Sequence, residues 1–212
     1  MSGGRRHPLF ARAYPRLSRP LERAGMGEHR DRLLAGLRGQ VIEIGAGNGL
    51  NFAHYPREVT RVVAVEPEPY LRRLATAAAR RAPVPIEVVG GTAGELPAGA
   101  ATFDAAVACL VLCSVPDQAR ALAELYRVLR PGGGLRFFEH VRAEGGGLAR
   151  VQRLVDATVW PWLVGGCHTG RDTAAAIDRA GFAVERLDRL RFPDSRLPQP
   201  TSPHIVGTAV RP

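Results

Sequence analysis

The 212-residue sequence predicts an α/β fold built on a mostly parallel sheet. Three observations carry that prediction. From residue 40 onward, short apolar runs alternate with helical patterns. The first run opens into a Gly-rich turn, Glu43-Ile44-Gly45-Ala46-Gly47-Asn48-Gly49, and the second ends in an acid, Glu66. Length allows one full core of this kind.

Taken in order, Val41 to Ile44 is the first strand and Arg61 to Val65 the second, closing at Glu66-Pro67. Pro69 to Arg81 reads as a helix that Pro83 stops. Ile86 to Val89 and Phe103 to Cys109 are the third and fourth strands. Gln118 to Leu129 is amphipathic, with Ala121, Leu122, Leu125, Val128 and Leu129 on one face. Pro131 to Gly134 ends it, and Leu135 to Phe138 is a fifth strand buried on both faces. Leu148 to Val164 then reads as one apolar helix containing Trp160, Pro161 and Trp162. Arg171 to Ala180 is another, with Thr169 or Gly170 near its N-cap and Gly181 as its stop. Two last strands, about 183–191 and 205–210, flank the Pro-rich segment Pro193 to Pro203. Residues 1–38 form an N-terminal arm or lid of one or two helices broken at Pro15 and Pro20, and 39–212 the main domain.

Composition narrows the class. Hydrophobic residues make up 45% and charged residues 23%, a balance proper to a globular protein. No apolar run reaches the roughly eighteen residues of a membrane span. Met1 to His7 is polar and basic and leads into no apolar stretch of the secretory kind, so a cytoplasmic protein is expected. The formal charge is +9, yet every one of the 29 basic residues is arginine. Total replacement of lysine, beside abundant Ala and Gly, reads as GC-rich coding rather than a nucleic-acid surface, so no nucleic-acid partner is expected. Cys109, Cys113 and Cys167 are too few and too scattered for a disulfide framework, and beside the i, i+4 pair Cys109 and Cys113 no His or acid stands at zinc spacing. Inert buried thiols and no metal are the expectation.

The strand and Gly turn followed by a helix over 41–55 read as a nucleotide-type site, because glycines let backbone amides approach a ligand closely. The spacing is G-x-G-x-G, not the G-x-G-x-x-G of dinucleotide folds. Glu66, 21 residues past Gly45, stands where a carboxylate can accept from both ribose hydroxyls. Dehydrogenases share that acid, so turn and acid alone leave two cofactor classes open.

Further motifs separate them. The turn, the acid, Gly91 to Pro97, Phe103-Asp104-Ala105 and Arg127 to Gly133 stand in the order seen in class I S-adenosylmethionine-dependent methyltransferases, which this sequence resembles over 38–140. The resemblance implies a Rossmann-like, seven-stranded, mostly parallel sheet with an antiparallel last strand and helices on both faces. It implies S-adenosylmethionine as cofactor and S-adenosylhomocysteine as product. Glu43 would support the loop, with the backbone of Gly45, Ala46 and Gly47 along the methionyl part and Asn51 a further cofactor-binding residue. Glu66 would hold the ribose, Thr92 and Ala93 would edge the adenine, Cys109 and Leu110 would meet the aminoacyl and sulfonium end, and Pro67 is a further cofactor-binding residue. Many relatives carry Asp where Thr92 stands. Tyr14 matches an aromatic of an N-terminal lid whose hydroxyl reaches the cofactor carboxylate, although plain packing would equally explain it.

Leu110 to Val115, Glu139-His140-Val141, Gly166-Cys167-His168 with Arg171, and Ser202 to Gly207 resemble the methyltransferase-like 7 family of alkyl thiol S-methyltransferases. Animal members are membrane-anchored; here Phe10, Tyr14, Leu17 and Leu21 among arginines imply at most peripheral membrane contact. Direct in-line transfer to a small-molecule thiol is the implied reaction. The alternatives are O-, N- or C-methylation of a metabolite, natural product or lipid head group, an RNA methyltransferase, or a cofactor-binding module without catalysis. Against RNA bases, no Asn/Asp-Pro-Pro-aromatic motif follows strand four. His140 and His168 are the candidate catalytic bases, and Cys113, Trp160, Arg171 and His204 the candidate acceptor-side residues. For each histidine a structural role competes, for Trp160 helix packing, and for Arg171 a capping role.

Overall fold

The computed structural model describes residues 8–194 and 199–212, so part of the Pro-rich segment lies outside the described residues. Its centre is one seven-stranded sheet in the order β3-β2-β1-β4-β5-β7-β6. The strands are β1 (Gly39–Ile44), β2 (Val59–Val65), β3 (Ile86–Val89), β4 (Phe103–Cys109), β5 (Leu129–His140), β6 (Ala183–Arg191) and β7 (Pro203–Val210). β1 to β5 pair in parallel, and β7 runs antiparallel to both β5 and β6. The expected sheet, with its reversed last strand, is therefore present.

Side chains alternate across this sheet and build two cores. One face buries Ile42, Ile44, Ala106, Ala108, Leu135 and Phe137 with helices α5 (Gln118–Val128) and α8 (Thr173–Arg179). The other buries Val41, Val62, Ala64, Val107 and Phe138 with α3 (Gly27–Leu34) and α4 (Pro69–Ala79). Met26, Leu33, Leu34 and Leu37 all belong to that second core, so the end of the N-terminal segment packs as firmly as the sheet itself.

Four local readings need correction. α1 (Pro8–Leu17) runs through Pro15, and Ser18 N–H carries the turn past it by donating to Tyr14 O at 2.9 Å. Pro20 opens the short α2 (Arg19–Leu21) rather than breaking a helix, and the chain bends instead at Gly25, φ +100°, before α3. The segment read as one helix over 148–164 is two, α6 (Gly146–Asp156) and α7 (Trp160–Leu163), with Pro161 in the first turn of the second. α8 is capped by Asp172, which accepts from Ala175 N–H at 3.2 Å, not by Thr169 or Gly170. After the Gly turn, finally, stands only a short 3-10 turn, Phe52–His54, so no helix N-terminus faces a ligand there.

The strand order places the site. The chain leaves β1 toward β2 and β3, then crosses back to β4 on the other side, so the loops after β1 and β4 diverge. Ile44 lies opposite both Val65 and Ala108, and the three following loops emerge side by side. Among the described residues, no helix is long and apolar enough to cross a membrane.

Gly207 in β7 holds the far edge of this sheet at its present spacing. A Cβ there would strike Arg186 O and the Phe137 ring. Gly207→Ala is expected to destabilise the fold by about 1–3 kcal/mol. A urea midpoint equal to that of the parent would show that the β5-β7-β6 edge yields without cost.

Candidate active site

The loop after β1 is shaped by contacts that only glycine permits. Gly45 and Gly47 are left-handed, at φ +61° and +58°. A Cβ on Gly45 would collide with Val111, and one on Gly47 would stand 3.3 Å from the Tyr14 ring. Glu66, 5% exposed at the end of β2, accepts from Gly47 N–H and from Glu68 N–H, each at 2.8 Å. Burial pushes its pKa up while these two amides oppose the rise. Each of its oxygens keeps a further lone pair for a ligand hydroxyl. Asn48 Oδ1, in the same loop, is a buried acceptor with no partner among the described residues. The loop is thus rich in acceptors, and it fits a ligand that brings hydroxyl and ammonium donors.

Beneath the loop runs a buried network. Glu43 projects from β1 into the second core and accepts from Asn51 Nδ2 at 2.8 Å and Tyr55 O–H at 2.7 Å. Burial pushes its carboxyl up to about 7. Arg30 donates to Asn51 Oδ1 and, at 2.8 Å, to Glu22, and lies 3.6 Å from Cys109 Sγ. Burial alone would pull Arg30 down, but its pairing with Glu22 opposes this and holds it charged. The Tyr14 hydroxyl and the Cys109 thiol are each pushed up to about 12 by burial and stay neutral. Asn51, expected along the cofactor, has both ends of its amide engaged below the loop.

Cys109 ends β4, one residue past the pairing of Ala108 with Ile44, and Leu110 follows it at φ +58°. Thr92 and Ala93 lie in the loop after β3, where Thr92 bridges Glu95 and Ala93 packs on the core. Pro67 is exposed at the rim. Tyr14 reaches the loop because α1 lies over it, and Phe10 of the same helix packs where a Cβ on Gly165 would be.

The other half of the site hangs on the turn after β4. Glu139, fully buried in β5, accepts from the N–H groups of Val111, Leu112 and Cys113 at 2.9–3.0 Å. Burial pushes its pKa up against those three bonds. Arg171 donates to the carbonyls of Leu112 (2.8 Å) and Val115 (2.7 Å), so its charge clasps the turn rather than standing free for an acceptor. His168 N–H donates to Cys113 O at 2.9 Å, and its Nδ1 lies 2.8 Å from Gly166 O.

This docking brings together groups that are far apart in sequence. Cys113 Sγ lies 3.4 Å and Cys167 Sγ 3.6 Å from His140 Nδ1, and the two sulfurs are 3.9 Å apart. The expectation that no histidine stands with Cys109 and Cys113 is corrected for Cys113, which meets His140 across the fold. The hydrogen bond with Cys113 pulls the Cys167 thiol down to about 5, against its burial and with help from His140. Cys113 is pushed well up by the same bond and by burial. His204 is buried behind His140, ring centroids 4.5 Å apart, and burial pulls it down to about 3. It stays neutral, its Nδ1 2.8 Å from Ser202 O, and backs His140 rather than lining an open surface. Trp160 is half-buried, with an indole N–H that finds no partner among the described residues; Trp162 is 62% exposed.

Comparison with known proteins matches this arrangement to a family. Residues 42–137 match the family model described as Methyltransferase domain. The chain is 36% identical over 174 residues to thiol S-methyltransferase TMT1A of Homo sapiens, covering 81% of this chain and 70% of that one. It is 35% identical to thiol S-methyltransferase TMT1B of Mus musculus, over 84% of this chain and 74% of that one. A SAM-dependent methyltransferase from Methanosarcina mazei superposes with a TM-score of 0.64 at 22% identity, over 81% of this chain and 92% of that chain. The likeness to the two thiol enzymes, at 174 and 183 residues, reaches well past the stretch that the family model covers.

Glu43 gives a test of the buried network. Its folded pKa of about 7 exceeds the ordinary 4.5, so between those values the folded state keeps a proton that the unfolded chain has released. Stability from this group is therefore lost as pH rises through that window. Glu43→Gln should gain on the parent by about 1–3 kcal/mol between pH 4.5 and 8, measured by urea unfolding at each pH. A constant difference between the two proteins would remove the burial argument.

Proposed function

We propose that this chain, which belongs to the class I S-adenosylmethionine-dependent methyltransferases and within them to the family of the thiol S-methyltransferases, methylates the sulfur of a small thiol. The observation that carries the thiol reading is that the likeness to thiol S-methyltransferases extends beyond the cofactor half, into the segments that close the acceptor side.

S-adenosylmethionine brings a methyl group already activated on a sulfonium. What the chain must add is position, exclusion of water and removal of one proton. Glu66 and the amides of the Gly loop hold the ribose and methionyl parts, with the unpartnered Asn48 Oδ1 as a further acceptor. Tyr14 and Phe10 of α1 cover the loop and the neighbouring Gly165, which shields the reacting atoms. Alignment of this kind is worth on the order of 7–11 kcal/mol of barrier.

A thiol needs little activation. With a pKa near 8.5 it is a few per cent thiolate at neutral pH, far more than an alcohol would be. His168 Nδ1 lies 2.8 Å from the Gly166 carbonyl, which only accepts, and 3.3 Å from Arg171 Nη2, which only donates; the shorter contact favours the proton on Nδ1 and leaves Nε2 as the acceptor for a thiol proton. His140, at the end of β5, stands at the sulfur-rich end of the same site.

Two measurements test this reading. Labelled S-adenosylmethionine supplied with a panel of small thiols, phenols, amines, lipid head groups and RNA should label thiols; turnover of another class with thiols untouched would overturn the assignment. Glu66→Ala should weaken cofactor binding by about 1.5–3 kcal/mol in calorimetry, the magnitude of charge-assisted hydrogen bonds. Unchanged affinity would take Glu66 out of the site.

A further inference from the structure

We propose that Cys113, His140 and Cys167 are the three protein ligands of a zinc ion whose fourth position takes the acceptor thiol, a role that rests on the thiol reading above.

The geometry comes first. A tetrahedral zinc with bonds of about 2.3 Å to sulfur and 2.0–2.1 Å to nitrogen sets its sulfur ligands roughly 3.8 Å apart and each sulfur roughly 3.6 Å from the nitrogen. The separations here are 3.9 Å between Cys113 and Cys167 Sγ, and 3.4 and 3.6 Å from those sulfurs to His140 Nδ1. All three edges of one tetrahedral face are thus already at ligand spacing. Two sulfurs and one imidazole select zinc over the harder magnesium, calcium or manganese.

The ligands are also held in place before a metal arrives. Cys113 N–H is fixed by Glu139, and Cys167 N–H donates to Val164 O at 3.0 Å. The His140 ring packs at a tilt against buried His204, centroids 4.5 Å apart. Ser114 Oγ lies 3.5 Å from Cys113 Sγ, where its hydroxyl can donate to a thiolate. Such outer partners are what orient ligands in working metal sites.

The fourth position decides the role. Among the described residues, no further Cys, His, Asp or Glu joins the cluster. Structural zinc sites close with four protein ligands, whereas sites with three keep a position for substrate. The cluster also adjoins the cofactor loop, since Val111, two residues before Cys113, packs directly on Gly45.

The step balances simply. The acceptor thiol binds zinc and its S–H bond breaks, the proton passing to the base proposed above, His168 Nε2. The sulfur lone pair then forms the new bond to the methyl carbon, and the carbon–sulfonium bond breaks with its electron pair retained by the departing sulfur. The neutral thioether is a weak zinc ligand and leaves.

The experiment uses the whole chain, stripped by chelator and titrated with Zn(II) or Co(II) alone. One metal per chain is expected, with thiolate-to-cobalt charge-transfer absorption that shifts when a small thiol such as 2-mercaptoethanol is added. Cys113→Ser and Cys167→Ser should each lose that absorption while circular dichroism and S-adenosylhomocysteine binding persist, and His140→Gln should weaken it. Chelation should lower thiol methylation by at least about tenfold, with recovery on Zn(II). Absence of a charge-transfer band from the parent chain, a result that needs no variant to fold, would overturn the site. Full thiol methylation in chelator would overturn the metal's role and leave the thiol reading standing. A thiol-responsive cobalt site in a chain that methylates only other acceptors would leave the ligands assigned and sink the thiol reading with the activating role.

Discussion

The proposed acceptor half of the molecule depends on one buried carboxylate, Glu139. Removing such a charge from water is costly unless hydrogen bonds replace the lost hydration. Here three consecutive amides, those of Val111, Leu112 and Cys113, do so. Arg171 takes two carbonyls of the same turn, so its N–H groups answer to an anion and its C=O groups to a cation. A turn held in this way can carry a residue in an unfavourable conformation. Leu110 lies in the left-handed region, which costs a non-glycine residue on the order of 1–3 kcal/mol and persists only where surrounding structure imposes it. From this turn Val111 packs on the cofactor loop, Cys113 faces His140, and Cys113 O receives the segment that brings Cys167 and His168.

A second constraint ties the N-terminal helices to the floor of the site. Glu43 occupies a core position on β1, and its bonds to Asn51 and Tyr55, with Arg30 beyond, let a carboxyl sit there. Arg30 also pairs with Glu22 across the bend at Gly25, so the ion pair fastens the part of the segment before the bend to the part embedded in the core. Tyr14 and Phe10, further up the chain, rest on Gly47 and against Gly165, one contact on each half of the site. Covering the loop and holding its floor are thus consecutive jobs of one stretch of chain.

The parallel sheet was legible because its signals are local. Apolar runs, the Gly turn and the acid at Glu66 each lie within one element, and the structure places them at adjoining strand ends. Pro161 also carried a local signal that was misread: proline is favoured in a first helical turn, so it marked the start of α7 rather than a residue inside a long helix. The cluster of Cys113, His140 and Cys167 had no such signal, because its members come from a turn, a strand end and a loop. Arg30 was hidden for a different reason. It is one of nine arginines in residues 1–38, and only burial against Asn51 and Glu22 distinguishes it. Glu139 could have been suspected, since an acid at the end of an apolar run needs donors, but its donors lie 26 to 28 residues earlier in the chain.

The two halves differ in the chemistry of their donors, and that difference supports the tasks proposed for them. Around β1 and β2 the ligand-facing groups are oxygens, namely the Glu66 carboxylate and Asn48 Oδ1, together with loop amides, which suit ribose hydroxyls and an amino-acid terminus. Around β4 and β5 the groups are two sulfurs and imidazoles, polarizable and poorly hydrated, which suit a sulfur acceptor or a soft metal better than a hydroxyl. The turn at 110–115 is the border between them, touching the glycine loop through Val111 and the sulfur cluster through Cys113. Function of this kind sits in the loops that a fold carries rather than in the fold itself. A change of acceptor would therefore be sought first among the residues around Cys113, His140 and Cys167, where the oxygen-lined cofactor half can remain as it is.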